Sequence, residues 1–201
     1  MFAIGHFALG YLAGIISARK LHTSVNIPLL LTASVIPDID LILIFLQHRG
    51  PTHSLITIAI FATPFLLFYG KNAVPYIVAI LTHSLIGDLV GGVQPLWPLS
   101  TYLFGFPEIE VRSLPSVTLE LTLFAISITV MIKTGDIKQI WKQNISNLAL
   151  IMPIASVLGP MLLFERGLEY ALPPLLIFPS LFYLAIFAYS IFLMVRKVKQ
   201  V

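Results

Sequence analysis

The chain has no cysteine, so disulfide and thiolate chemistry are excluded and the redox compartment cannot be read from it. It also has little charge. Only 10% of its 201 residues are Asp, Glu, Lys or Arg, and the net charge of +3 is dispersed along the sequence. That pattern argues against nucleic-acid binding, which needs a concentrated basic face. No HExxH motif and no GxSxG elbow occurs, so the signatures of zincin proteases and of elbow-type serine hydrolases are missing. No basic residue precedes the first apolar run, and no small-residue cleavage site follows it. That run is therefore expected to stay in place as a helix rather than to leave as a signal peptide.

What the chain has in abundance is apolar sequence: 58% of residues are hydrophobic and the mean hydropathy is +0.95. Apolar stretches run over Phe2–Ala18, Ile27–Leu46, Leu55–Tyr69, Ala73–Ile86, Val117–Ile132, Ile145–Phe164 and Leu175–Val195. A membrane helix needs roughly 20 such residues. The expected fold is all-α, a polytopic membrane bundle of about seven segments forming one domain over residues 1–201. With seven alternating spans, Arg19, Lys20, Lys71, Lys133, Lys138, Lys142, Arg196, Lys197 and Lys199 fall on one side. Arg49, Arg112 and Arg166 fall on the other. The positive-rich side is expected to be cytoplasmic, with the N-terminus outside and the C-terminus inside, in the plasma (inner) membrane.

Ionisable groups are costly in such a chain, and their placement is uneven. His6, His48, His53 and His83, with Asp88, fall at the outer ends of the expected helices, Asp38 and Asp40 fall near mid-span below an outward-facing cavity, and His22 falls at the inner side. Leu55–Tyr69 and Ala73–Ile86 form a hairpin turning at Gly70-Lys71-Asn72, which returns His83 and Asp88 to the level of His53. Pro37 should break the second segment at Pro37-Asp38-Ile39-Asp40. On a continuous helix the two aspartates would point about 200° apart, so both reach one centre only through irregular backbone lining a polar cavity. His83 and Asp88 stand about 140° apart on a regular helix, so the nearby glycines must unwind it or insert a π-bulge. The plain reading of HRGPTHS is a polar turn with Gly50-Pro51 at the bend and Thr52 capping the next helix; as ligands its histidines, five apart, need a loop rather than one helical face. A metal site is the simplest account of this gathering. Intramembrane aspartates beside a broken helix also suit a cation or proton-coupled transporter, and a structural metal in an inert membrane protein is a third reading.

The order of motifs resembles the YdjM-type family of membrane-bound metal-dependent hydrolases. The matching residues are His6 in GHFALG, Pro37-Asp38-Ile39-Asp40, His48-Arg49-Gly50 with Thr52-His53-Ser54, His83 with Asp88, and Pro95-Leu96-Trp97-Pro98. They lie within residues 1–100, which makes that half the metal-site half and residues 101–201 a helical remainder. More distantly, HSLIGDLVGGVQPLW is similar to the HxxxD and QPLH stretches of zinc-dependent phospholipase C and single-strand nucleases. The spacing is one residue longer here, and Trp97 stands where those enzymes have a histidine.

The resemblance implies hydrolysis of phosphoester or phosphodiester bonds, with a membrane phospholipid as one candidate substrate. It implies one or two divalent ions rather than three. Mixed imidazole and carboxylate ligands suit Zn²⁺ and also accept Mn²⁺ or Fe²⁺. His6, Asp38, His53, His83 and Asp88 are the expected metal ligands. His48 and Asp40 are either ligands or the groups that orient an imidazole, Asp40 is also a candidate base, and Arg49 is a candidate phosphate contact.

Overall fold

The structure, a computed structural model, describes residues 1–43, 45–106, 108–163 and 172–198. Arg166 and Lys199, counted above in the charge asymmetry, and Phe164, the end of one apolar stretch, lie outside the described residues. The first helix, α1 (Ala3–Leu21), is the axle of the bundle: Ile4, Phe7, Ala8 and Tyr11 are fully buried. Gly10 and Gly14, one turn apart, let its neighbours close in. A Cβ at Gly10 would strike Ser34 and one at Gly14 would strike Leu30. Arg19 and Lys20 sit in the last turn, where cations complement the helix dipole. His22 then stops the helix with a left-handed backbone, φ 52°.

Asn26 caps α2 (Ile27–Ala33) by accepting from Leu29 N at 3.1 Å, and Pro28 occupies the first turn. The helix is only seven residues long. It gives way to a 3-10 turn over Ile36–Leu41, with Pro37 in its first positions, where the missing N–H costs nothing. A second 3-10 turn, Pro51–His53, leads into α3 (Leu55–Tyr69). The cap of α3 is Ser54, whose Oγ accepts from Ile56 N at 3.2 Å, and not Thr52 as the sequence suggested. Gly70, at φ 54°, starts the tight turn Gly70–Asn72, and α4 (Val74–Leu85) runs back. The expected hairpin is therefore present. A short 3-10 turn, Gly87–Leu89, follows α4.

The rest of the chain supplies α5 (Leu114–Thr134), α6 (Ile137–Trp141), α7 (Ile151–Pro153), α8 (Gly159–Leu163) and α9 (Pro174–Val198). A 3-10 stretch, Ile145–Leu150, and a π-helical turn, Ile154–Leu158, flank α7. Phe7 of α1 meets Tyr183 and Phe187 of α9 with ring centroids 4.9 and 5.4 Å apart, so both halves of the chain share one core.

Four helical stretches are long and apolar enough to cross a membrane: Leu55–Asn72, Leu114–Thr134, Ile145–Leu162 and Pro174–Arg196. The bundle is the all-helical membrane architecture expected, and its apolar segments divide into two kinds. α1 is long enough but less apolar, α2 is cut short by its 3-10 turn, and α4 is short. Those three carry or adjoin the ionisable residues and pack against one another. α3 by contrast exposes Phe61, Phe65, Leu67 and Phe68, a surface that a bilayer rather than water satisfies.

Candidate metal centre

Each irregular piece of backbone delivers one part of the site. In the 3-10 turn Ile36–Leu41, Asp38 and Asp40 both point inward and are buried. They straddle a single imidazole. Asp38 Oδ1 lies 3.4 Å from His53 Nε2, and Asp40 Oδ2 lies 3.3 Å from His53 Nδ1. His83, on the last turn of α4, brings Nε2 within 3.2 Å of His53 Nε2. The helix then ends, and the turn Gly87–Leu89 swings Asp88 back, so that its Oδ2 is 3.4 Å from His83 Nε2 and 3.3 Å from His53 Nε2. Of the two sequence alternatives, unwinding is what joins His83 to Asp88.

The hydrogen bonds favour one tautomer for each neutral ring. His83 Nδ1 donates to the Ser34 carbonyl at 2.8 Å, which leaves Nε2 as a lone pair on the neutral ring. His53 Nδ1 donates toward Thr52 Oγ1 at 3.0 Å, and Thr52 passes its own proton to Asp40 Oδ2 at 2.9 Å. On the neutral rings both Nε2 atoms would be lone pairs facing two carboxylate oxygens, the donor set a divalent ion takes, and Asp88 Oδ2 has no hydrogen-bond partner.

The spacing of these four atoms is informative. A tetrahedral ion with ligands at ~2.0–2.1 Å puts its ligand atoms ~3.3–3.4 Å apart. His83 Nε2 lies 3.3 Å from Asp38 Oδ1, and with the four separations given above five of the six edges of the cage lie between 3.2 and 3.4 Å. His53, His83 and Asp88 form one group that could hold a metal ion, and Asp38 joins two further groups, one with His6 and His83 and one with His48 and His53.

The sequence of this chain matches the pattern of the YdjM inner membrane protein family over residues 1–167. The chain belongs to that family. The match extends well past residue 100, where the motif resemblance stopped, and it takes in α5 and the stretch through α7 and α8. No curated protein and no solved structure is detectably similar to the chain. Family membership and the apolar helices together place this YdjM-family chain in the membrane.

The remaining residues singled out in the sequence surround the cage. His6 stacks on His83, with centroids 3.7 Å apart and planes at 17°, and its Nε2 is 3.8 Å from Asp88 Oδ1. It can complete a second group with Asp38 and His83, but its nitrogen is not one of the four cage atoms. His48 Nδ1 lies 3.1 Å from Asp40 Oδ1, and its side chain is 35% exposed, which makes it the most open imidazole of the cluster. Asp40 is thus the orienting carboxylate for two histidines. Arg49, at φ 62°, has Nε 3.6 Å from Asp88 Oδ1 and donates from Nη1 to the Val90 carbonyl at 3.2 Å. His22 lies sixteen residues along α1 from His6, a helical rise of ~24 Å.

The sequence reading missed Glu120. It is the acid inside the apolar run Val117–Ile132 and is fully buried. An unpaired acid in a span is by itself a signal of function or fixed pairing. Gly87 was read only as a helix breaker, yet a Cβ there would run into the imidazole of His6. Gly87→Ala is expected to push His6 off His83 at an overpacking cost of about 1–3 kcal/mol. A lowered melting temperature would show it, and an unchanged one would mean that His6 is free to yield.

Proposed function

We propose that the chain is a membrane-embedded, metal-dependent hydrolase of phosphoester or phosphodiester bonds, opening at the outer face of the membrane. The observation that carries this reading is the gathering of His53 Nε2, His83 Nε2, Asp38 Oδ1 and Asp88 Oδ2, with five of their six separations between 3.2 and 3.4 Å. Zn²⁺ suits the donor set best, with Mn²⁺ or Fe²⁺ acceptable. A divalent ion held there would supply Lewis acidity toward a phosphoryl oxygen.

The chain's own residues do the rest. Asp40 and Thr52 hold His53 in the tautomer that turns Nε2 inward. The same Asp40 orients half-exposed His48, which is the group placed to carry a proton between the site and water. Arg49 keeps Asp88 in place and still has donors to offer an anionic oxygen.

A lipid phosphoester is the substrate favoured by the surroundings. The irregular stretch after Asp88 exposes Leu99, Tyr102, Phe104 and Phe106. Irregular backbone needs water, while these side chains need an apolar phase, and the interface provides both. A site tethered to that stretch sits at headgroup depth. The tether is visible: Val93 N donates to Phe104 O at 3.0 Å, and Gln94 N donates to Arg49 O at 3.1 Å.

The decisive assay uses purified protein, a soluble phosphodiester and a phospholipid in vesicles. Zinc-loaded protein should cleave at least one of the two, and Arg49→Ala should keep its metal but lose about 10–100-fold in activity, the worth of a charged hydrogen bond at ~1.5–3 kcal/mol. Metal-loaded wild type that cleaves neither ester would overturn the hydrolase reading. For orientation, a cysteine at His48 should react with an impermeant thiol reagent in intact cells, and one at Lys71 in the opposite turn should not. The reverse labelling would invert the topology. The absence of native cysteine makes that background silent.

A further inference from the structure

α1 begins without a side-chain cap of its own: Phe2 offers none, and the helix has no acid in its first turn. Its first turn is nevertheless buried, so its free amides need acceptors from elsewhere. One residue of the second half of the chain provides them. Glu120, midway along α5, accepts from Phe2 N at 2.8 Å through Oε1 and from Gly5 N at 3.1 Å through Oε2. The fit is close, because a Cβ at Gly5 would displace the flexible end of Met1 and crowd both the carboxylate and the Cγ of Glu120. The next residue along is His6, whose ring is clamped between Gly87 and the face of His83.

We infer that Glu120 is a positioning residue of the metal centre, acting through the first turn of α1 to hold His6 against His83 and Asp88. The inference rests on the metal reading above only for one of its two readouts. It gives residues 101–201 a part in the site: α5 supplies the carboxylate that replaces the missing cap of α1. Gly5 N also donates to the Phe2 carbonyl at 3.1 Å, and in Glu120→Gln one of the two amides meets an NH₂ group instead of an oxygen, a donor facing a donor that pushes the first turn away. His6 moves with it, because a helical turn moves as a unit.

A double-mutant cycle with Co²⁺ as the ion tests this. Glu120→Gln should weaken Co²⁺ binding about 10-fold, the lower end of what an outer partner of a metal site is worth. In a His6→Gln background the same change should cost nothing further, because its route to the site is gone. Equal losses with and without His6, or no loss in either, would overturn the proposal, since a merely structural role does not depend on His6. Gly5→Ala, which crowds the same carboxylate while leaving its charge, should repeat the pattern and serves if Glu120→Gln does not fold. A second readout needs no metal: backbone amides of residues 2–6 should exchange with deuterium at least ~10-fold faster in Glu120→Gln than in wild type. Unchanged exchange would sink the inference even if Co²⁺ binds. Protein that binds no Co²⁺ but shows faster exchange would instead sink the metal reading and keep Glu120 as the anchor of His6.

Discussion

Protein carrying His53→Ala or His83→Ala is expected to lose its metal and all phosphoester hydrolysis. Each substitution removes one of the four atoms that line the cage and leaves Asp38 and Asp88 as two buried carboxylates with one imidazole. The loss in affinity should exceed the ~10–100-fold that outer partners contribute. Elemental analysis of protein purified without chelator should fall from about one equivalent to background. Asp40→Asn should behave differently. The ligand atoms remain, but asparagine keeps one oxygen of the two, so either His48 or the Thr52–His53 pair faces an NH₂ group, and affinity should drop only within that ~10–100-fold range. His22→Ala, at the far end of α1, should change neither metal nor activity. Metal lost on His22→Ala and retained on His83→Ala would mean that the centre lies elsewhere.

The site was legible in the sequence because membrane burial makes ionisable residues scarce, and scarcity makes their positions informative. Pro37 announced the break in the second segment, and two aspartates that cannot share a helical face announced irregular backbone. The 3-10 turn Ile36–Leu41 is that backbone. The glycine-rich stretch after His83 announced the unwinding that returns Asp88 to the cluster. Alternation of spans was enough to bring His53 and His83 to one level, and they now lie 3.2 Å apart.

What stayed hidden depends on partners distant in sequence. Thr52 looked like a helix cap because it precedes an apolar run, but its hydroxyl is drawn to Asp40, and Ser54 is left to cap α3. Arg49 looked free for phosphate, but Asp88 and the Val90 carbonyl already engage part of its fork. Glu120 lies more than a hundred residues from the amides that it satisfies, so no local pattern reveals its role. Which of the apolar segments face lipid was hidden for a similar reason. Hydropathy marks what is buried, and it does not separate an inner helix such as α4 from one that faces lipid such as α3.

Metal should also govern stability, with a definite pH dependence. Asp38 and Asp88 are two carboxylates buried at one centre, and the Arg49 guanidinium meets only Asp88, at 3.6 Å, so a divalent ion would add compensation that these side chains supply in part. An ion that binds the folded state stabilises it by ~2.7 kcal/mol at a concentration 100 times its Kd and by ~4.1 kcal/mol at 1,000 times. Zinc should therefore raise the melting temperature of detergent-solubilised protein by several degrees, and a chelator should reverse the gain. Every ligand must be deprotonated to bind, so protons compete with the ion and binding releases them. The zinc-dependent part of the stability is thus full at neutral pH and shrinks as the pH falls, whereas the apo protein lacks that component throughout. The measurement is the difference in melting temperature with and without zinc, followed from pH 8 to pH 5. A difference that grows toward acid, or that persists in His53→Ala, would show that the ion acts somewhere other than this cage.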